Sequence, residues 1–141
     1  MPDAGSLSEE CENQESLRIA VIDDEVEIRR AIRRTLGSTH TYEEAATVEE
    51  AVEILRRGVD LVFLDFHLQD KTAVMLLRKL REEGVPLTAE LVIISGSGGV
   101  TMEAADTAVL EANNATIMGK PFDREKLMSI VKKVVEQKGS M

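Results

Sequence analysis

Five polar residues close apolar stretches of this sequence, at positions where they could carry out chemistry together. Asp65 follows the apolar run LVFL, and Asp23 and Asp24 follow the run RIAVI. Ser95 closes the run LVII, and Lys120 comes just after the segment ATIMG. A strand that is buried on both faces has little reason to end in a charge unless that charge has a task at its edge. The five side chains are therefore candidates for a single site.

Carboxylates gathered at one edge require positive charge among them. Two carboxylates about 5 Å apart repel by about 3 kcal/mol at an effective dielectric constant of about 20. Lys120 supplies one positive charge, and a hard divalent cation would supply more. Mg²⁺ suits one or two carboxylates together with a phosphoryl oxygen. A carboxylate nucleophile, a metal, a hydroxyl donor and an ammonium group are what phosphoryl transfer to Asp65 needs.

Alternating strands and helices would position these residues. Short apolar or β-branched runs predict strands at 17–24, 40–46, 60–65 and 90–95 and in the segment ATIMGKP. Apolar residues at helical spacing follow each strand, and Thr47 with Glu50 forms a capping box at the start of the second helix. The chain therefore alternates between strand and helix five times.

In each of the last two predicted helices, the spacing of apolar residues indicates which face is turned toward the sheet. In TMEAADTAVLEANN the inward residues are expected to be Met102, Ala105, Val109 and Ala112. In DREKLMSIVKKVVEQKG the apolar stripe consists of Leu127, Ile130, Val131, Val134 and Val135. Both patterns repeat every three to four residues, as one face of a helix does.

The pattern predicts an α/β protein with a doubly wound, five-stranded parallel sheet. The central strands are continuous apolar runs, as a parallel sheet covered by helices on both faces requires. Right-handed crossovers then give a three-layer α/β/α sandwich, in which ligands bind at the carboxyl ends of the strands. Because these ends share one edge of the sheet, we expect the five polar residues to converge there.

Length and composition are typical of a soluble globular domain. The 141 residues suit one domain, and 43% of them are hydrophobic and 30% charged. No apolar run approaches the length of a membrane span, and the single cysteine, Cys11, fits a reducing cytoplasm. The net charge of −9 argues against nonspecific nucleic-acid binding. We therefore expect a cytoplasmic protein with no nucleic-acid or membrane partner.

Acidic charge is concentrated near the N-terminus. Residues 1–16 include five acidic residues, no Lys or Arg, and almost nothing to bury. This composition predicts a disordered acidic tail, and a docking arm is the alternative. Residues 17–138 would form the folded domain, and residues 139–141 would form a C-terminal tail.

Four motifs, in this order, resemble the receiver domain of bacterial two-component response regulators. They are the acidic pair in VIDDE, the aspartate in FLDFHL, the serine in IISGS and the lysine in GKPF. The resemblance covers residues 17–138, the predicted receiver domain. It implies a flavodoxin-like sheet with the strand order 2-1-3-4-5.

The resemblance implies phosphoryl chemistry at Asp65. This residue would accept a phosphoryl group from a sensor histidine kinase or a histidine phosphotransfer protein, in a self-catalysed reaction that depends on Mg²⁺. Ser95 would bond a phosphoryl oxygen after transfer, and Lys120 would pair with Asp65 or its phosphate. Beyond this acceptance and autodephosphorylation, no enzymatic activity is expected.

The resemblance also implies the protein ligands of the Mg²⁺ ion. Asp24 would bind the metal directly, and Asp23 would help directly or through water. Asp65 and the backbone carbonyl of His67 would be further ligands.

A signalling role follows from the same resemblance. The protein would be a single-domain response regulator of a two-component or phosphorelay system, and we expect a monomer or weak dimer. Phosphorylation would switch the binding of a downstream protein at the face formed by the fourth helix, the fifth strand and the fifth helix.

Three positions depart from the family pattern. Gln69 and Ala73 stand where a proline and a glycine usually follow the acceptor, which predicts a less rigid loop. Ile117 stands where the family commonly has an aromatic switch residue. The segment from Ser95 to Lys120 is also a few residues longer than is usual. The excess falls in the Gly-rich stretch GSGGV, which would carry the switch instead.

Other interpretations of these residues stay open. The chain could be a receiver-like interaction module that acts without phosphorylation. A phosphatase of the haloacid dehalogenase type is less consistent, because that family needs a second acid where His67 stands. Asp24 could simply cap the helix that begins near Val26. The arginines within residues 29–34 could form a solvated helix face or a docking surface for a partner.

Overall fold

A parallel β-sheet with helices on both faces forms the centre of the protein. The structure, a computed structural model, describes residues 16–96, 104–119 and 123–139. The strands in these ranges are β1 (Arg18–Ile22), β2 (Thr41–Ala45), β3 (Leu61–Asp65), β4 (His67–Leu68), β5 (Lys71–Thr72), β6 (Glu90–Ser95) and β7 (Thr116–Gly119). The helices are α1 (Val26–Leu36), α2 (Val48–Arg57), α3 (Ala73–Glu82), α4 (Ala104–Ala112) and α5 (Arg124–Gly139).

The strand order of the main sheet is β2-β1-β3-β6-β7, and all neighbouring strands are parallel. This confirms the predicted flavodoxin-like order, because β6 and β7 are the fourth and fifth strands of the sheet. Two short antiparallel strands, β4 and β5, lie between β3 and α3. The sequence predicts a loop for that stretch, so this hairpin is an addition to the predicted fold.

The two faces of the sheet carry separate hydrophobic cores. On one face α2, α3 and α4 pack against the sheet, and on the other face α1 and α5 do so. Strand β3 contributes to both cores. All five of its residues are buried, with Val62 and Leu64 in the first core and Leu61 and Phe63 in the second. Side chains alternate between the faces of a strand, so a continuous apolar run supplies both cores at once.

Local signals in the sequence begin and end the helices. The Oγ1 atom of Thr47 accepts a hydrogen bond of 3.1 Å from the backbone N–H of Glu50, as the predicted capping box requires. Helix α1 ends at Leu36, and the residue that caps it is Gly37, whose φ of +91° is accessible to glycine at little cost. Its N–H donates to the carbonyl of Arg33 at 2.9 Å and so closes the last turn.

The predicted inward face of α4 is confirmed only at Val109, which packs partly buried against the core. Ala105 and Ala112 are exposed, and Leu110 is the buried residue of this helix, with 0% of its surface accessible. The apolar side chain of Leu110 is larger than those of the two alanines. Turning the helix so that Leu110 is buried therefore removes more apolar surface from water. Met102 lies outside the described residues.

The apolar stripe of α5 is confirmed. Leu127, Val131 and Val134 are buried, and Ile130 and Val135 pack partly buried against the same core. The helix extends to Gly139. The predicted acidic tail, apart from Ser16, and the segment from Ser97 to Val100 lie outside the described residues. In the described part of the chain, no helix has the length and apolar character needed to cross a membrane.

Candidate functional site

Three aspartates meet at the carboxyl edge of the sheet. Asp65 is the last residue of β3, which is paired on both sides, and Asp23 follows the end of β1. Ile22 is in register with Leu64, so the two strands end side by side. One carboxylate oxygen from each of Asp23, Asp24 and Asp65 lies within 4.8 Å of the others.

The burial of this cluster makes it costly to hold several negative charges close together. Asp23 is 1% exposed and Asp65 is 6% exposed, whereas Asp24 is only partly buried. Carboxylates are rarely buried to this extent unless positive charge or hydrogen-bond donors compensate them. The oxygen donors present are those that hard divalent cations prefer, and Mg²⁺ commonly uses one or two carboxylates. The donor set and its charge therefore fit a Mg²⁺ ion.

Each of the three carboxylates accepts a hydrogen bond from a backbone N–H. The N–H of Glu25 donates to Oδ1 of Asp23 at 2.9 Å, and the N–H of His67 donates to Oδ1 of Asp65 at 3.3 Å. Oδ2 of Asp24 accepts a bond of 3.0 Å from the N–H of a more distant residue, Gln69. These bonds fix the orientation of the three carboxylate groups within the cluster.

The predicted alternative role of Asp24 as a helix cap is wrong. Glu25 occupies the N-cap position of α1. The side chain of Asp24 instead reaches across to Gln69, 45 residues later in the chain. The side chain of Asp24 therefore belongs to the aspartate cluster and does not cap α1.

An arginine anchors the loop that carries the acidic pair. Nη1 of Arg29 donates to the backbone carbonyl of Asp23 at 2.6 Å, and its Nε pairs with Oε1 of Glu44 at 2.9 Å. The N–H of Asp23 donates to the carbonyl of Ala45 at 3.0 Å. The backbone of Asp23 is thus held from two sides, by α1 and by the end of β2.

Ser95 lies at the same edge of the sheet as the aspartates. It ends β6, one position beyond Ile94, the residue in register with Asp65. Its hydroxyl donates to the carbonyl of Gly96 at 3.5 Å, which is a long bond and leaves the hydroxyl able to turn to another acceptor. Gly119 is in register with Ser95. Lys120, the next residue of the chain, lies outside the described residues.

The chain after Asp65 forms a hairpin that the sequence pattern does not predict. His67 pairs with Thr72 and Leu68 with Lys71, which leaves Gln69 and Asp70 as the turn. Gln69 has a φ of +59°, which proline cannot adopt. A proline at this position would therefore be incompatible with the observed path of the loop. Two-residue turns between extended pairs are the usual form of short hairpins, but Gln-Asp is a weak signal for one.

Several contacts hold this hairpin, and the lower rigidity expected of this loop stays a prediction. The N–H of Ala73 donates to the carbonyl of Phe66 at 2.7 Å, and Ala73 is fully buried. Oγ1 of Thr72 accepts from the N–H of Met75 at 3.4 Å and caps α3. The exposed ring of His67 stands edge-on to the ring of Phe66, at a centroid distance of 4.9 Å.

The face formed by α4, β7 and α5 presents apolar side chains to solvent. Ile117 on β7 and Met128 on α5 are each 41% exposed. Ile117 occupies the position where the resemblance leads one to expect an aromatic residue. Met118, its neighbour on the strand, is buried at 4% exposure and belongs to the core.

Comparison of the sequence with known families gives one clear match. Residues 19–132 match the family model described as the response regulator receiver domain. The chain is 29% identical over 128 residues to the sensory transduction protein LytT of Bacillus anthracis, covering 88% of this chain and 49% of LytT. It is 30% identical over 122 residues to the hydrogenase transcriptional regulatory protein HoxA of Cupriavidus necator, covering 86% of this chain and 24% of HoxA. The chain thus spans half or less of these relatives.

Solved structures with the same fold extend this result. A CheY-like response regulator receiver domain protein from Methanospirillum hungatei has a TM-score of 0.74 at 16% identity, covering 90% of this chain and 99% of the other. NtrX from Brucella abortus, in complex with ADP, has a TM-score of 0.68 at 25% identity, covering 88% of this chain and 27% of NtrX. The first likeness concerns the fold alone, because the sequences have diverged so far.

Proposed function

Because this chain belongs to the response regulator receiver domain family, we propose that Asp65 accepts a phosphoryl group from a phosphohistidine on a sensor kinase or phosphotransfer protein. The observation that carries the proposal is the cluster of Asp23, Asp24 and Asp65, with an oxygen of each within 4.8 Å of the others at the carboxyl edge of the sheet. Such a cluster has the charge and the oxygen ligands that a Mg²⁺-dependent transfer to a carboxylate needs.

The proposed reaction assigns a separate task to each residue. A carboxylate oxygen of Asp65 attacks the phosphorus, the phosphorus–nitrogen bond breaks, and the imidazole of the donor leaves with the electron pair. Asp23, Asp24 and the backbone carbonyl of His67 would hold Mg²⁺. When bound, the metal neutralises charge on the phosphoryl oxygens. The burial of Asp65 within a doubly paired strand holds the nucleophile in position.

Ser95 and Lys120 would stabilise the phosphorylated state. The hydroxyl of Ser95, at the end of β6, would donate to a phosphoryl oxygen, and Lys120 would pair with the phosphate charge. Phosphorylation adds negative charge, so it favours the arrangement of neighbouring loops that brings these donors closest. The switch would change binding of a downstream protein at the α4–β7–α5 face, where Ile117 and Met128 are exposed.

A receiver-like module that binds partners without phosphorylation is the second candidate. Ile117 favours it, because the ring rotation associated with an aromatic switch residue cannot occur here. The phosphatase alternative has less support, since His67 stands in the place of the second acid and its ring packs against Phe66.

The deciding experiment is labelling by a small phosphodonor. The protein is incubated with acetyl phosphate, with and without Mg²⁺, and the addition of one phosphoryl group is measured by intact-protein mass spectrometry. We expect labelling that requires Mg²⁺ and is abolished in Asp65→Asn. Asp70→Asn is the matched control, because Asp70 is an exposed aspartate five residues further on.

The two candidate functions predict opposite results. Labelling of the wild type and of Asp70→Asn, but not of Asp65→Asn, supports phosphoryl acceptance. An unlabelled wild type that also fails to bind beryllium fluoride would leave the phosphate-independent module as the better description.

A further inference from the structure

A cationic cleft lies at the opposite edge of the sheet from the aspartate cluster. It has a volume of about 450 Å³ and is lined by Arg30, Arg33 and Arg34 of α1, together with His40 and Tyr42. Arg33 and Arg34 lie in the last turn of α1 and Arg30 lies one turn earlier, whereas the site described above lies beyond the N-terminus of the helix. The acceptor chemistry at Asp65 makes no use of this cleft.

Two of the three arginines have no counter-charge in the described part of the chain. Arg33 pairs with Oε2 of Glu44 at 2.6 Å and lies over the ring of Tyr42, 5.5 Å from its centroid. The guanidinium groups of Arg30 and Arg34 have no ion pair or hydrogen bond among the described residues. Like charges four residues apart on a helix repel each other. An anion placed in the cleft would relieve that repulsion.

A comparison with α2 argues against a purely structural role. Basic residues in the last turn stabilise a helix through its dipole, and α2 also ends in two arginines. Arg56 pairs with Glu83 at 2.6 Å, and Arg57 pairs with Glu43 at 3.2 Å. Both arginines of α2 are thus neutralised by partners on neighbouring elements. The uncompensated pair on α1 is a different arrangement, one that leaves a place for an acidic ligand.

The sequence contains an acidic ligand of suitable charge that joins the domain at the edge of the cleft. Within residues 1–15 there are five carboxylates and no Lys or Arg. The N–H of Leu17 donates to Nδ1 of His40 at 3.1 Å, so the chain enters the fold beside a residue that lines the cleft. A segment of this length can span about 50 Å when extended, so it can reach every arginine of the cleft.

We infer that the acidic segment 1–15 binds in the cationic cleft of its own chain, through its carboxylates and the guanidinium groups of Arg30 and Arg34. Attachment beside the cleft keeps the segment at an effective concentration in the millimolar range, which favours the intramolecular contact over a free acidic peptide. The bound segment occupies the α1 arginines, and an acidic partner protein must displace it to reach them.

The lone cysteine of the chain provides the probe for this contact. Cys11 lies within the acidic segment and needs no engineered substitution before a nitroxide spin label is attached. In the full-length, ¹⁵N-labelled protein, we expect the oxidised label to broaden the backbone amide signals of residues 30–38. Replacing Arg30 and Arg34 with glutamine should lower this relaxation enhancement at least about twofold, as should raising the salt concentration to about 0.5 M.

The matched control removes two arginines from the other face of the sheet. Arg78 and Arg81 are exposed on α3, which packs on the face opposite α1. Arg78→Gln with Arg81→Gln makes the same change in net charge and should leave the broadening at α1 unchanged. An equal loss in both double variants would show a general charge effect and overturn the proposal. So would broadening that survives Arg30→Gln with Arg34→Gln, since tethering alone would then explain it.

A mixed sample separates contact within a chain from contact between chains. Spin-labelled ¹⁴N protein is added to ¹⁵N-labelled protein that carries no spin label, and the same amide signals are measured. We expect little broadening in this sample. Broadening as strong as in the ¹⁵N-labelled protein that itself carries the spin label would assign the contact to a second copy and overturn the intramolecular proposal.

Discussion

The backbone N–H of Gln69 donates a hydrogen bond of 3.0 Å to Oδ2 of Asp24, and this bond joins the hairpin after β3 to the loop after β1. It exists because Gln69 has a φ of +59°, which turns its N–H toward the acidic cluster. Groups that orient a metal ligand from outside affect metal affinity even though they do not touch the ion. Gln69 is therefore a positioning residue for the proposed Mg²⁺ site.

Gln69→Pro should weaken Mg²⁺ binding by about tenfold or more, because proline lacks the N–H and cannot adopt a positive φ. Gln69→Gly is the control, since glycine keeps the donor and adopts this φ without strain. The measurement is a Mg²⁺ titration followed by amide chemical shifts or by calorimetry. Equal Mg²⁺ affinities in the two variants would argue that the hydrogen bond has no influence on the metal.

Neutralising Asp24 should stabilise the metal-free protein and remove its response to Mg²⁺. Relief of repulsion within the cluster is expected to raise the free energy of unfolding of Asp24→Asn by about 1 kcal/mol, less than the full pairwise repulsion because Asp24 is partly exposed. The wild type should gain thermal stability on adding Mg²⁺, by mass action, and Asp24→Asn should gain little. Asp70→Asn serves as the control. A variant whose melting temperature still rises with Mg²⁺ as in the wild type would count against Asp24 as a ligand.

Arg29→Ala should destabilise the fold more than Arg33→Ala, although both arginines pair with Glu44. The side chain of Arg29 is 16% exposed and also binds the carbonyl of Asp23, whereas that of Arg33 is 49% exposed. We expect a loss of about 2 kcal/mol for Arg29→Ala and under about 1 kcal/mol for Arg33→Ala. Urea denaturation measures both. The reverse order would mean that the anchor at Asp23 contributes little.

Leu110→Ala should cost about 2 to 4 kcal/mol in the free energy of unfolding, because it creates a cavity at a position with 0% exposure. Ile117→Ala removes a similar apolar volume from a side chain that is 41% exposed, so its cost should stay under about 1 kcal/mol. Thermal or urea denaturation distinguishes them. Similar losses in the two variants would contradict the orientation of α4 described above.

Tyr42 should make the stability depend on pH in the alkaline range. Burial raises the pKa of its phenol above the ordinary value of 10.0, and the nearby Arg33 charge opposes this only partly. The neutral phenol also donates to the carbonyl of Gly37 at 2.6 Å. Because the folded pKa is the higher one, this stabilisation is fully present below pH 10 and is lost as the pH rises through the folded pKa.

The titration of Tyr42 can be followed directly, because the chain has one tyrosine and no tryptophan. The ultraviolet absorbance of the phenolate should appear at higher pH in the folded protein than in urea. Tyr42→Phe should remove this contribution to the alkaline loss of stability. A folded pKa at or below the unfolded one would contradict the assignment of burial as the dominant cause.

Much of the fold could be predicted because its signals are local. Continuous apolar runs and helical spacing identify the five strands of the main sheet and their helices, and parallel order follows from the alternation. The polar ends of those strands could be identified in the same way, since every parallel strand ends at one edge. Asp23, Asp24 and Asp65 lie within a few ångströms of one another for that reason.

Patterns within each segment are sufficient to predict the layered sheet and the residue types at its carboxyl edge. The turn at Gln69, its bond to Asp24 and the burial of Leu110 become visible only in the folded protein. The same holds for the sharing of Glu44 by Arg29 and Arg33. Each of these depends on which distant segments pack together, and the energy that selects them is that of burial and hydrogen bonding across the fold, which no local pattern encodes.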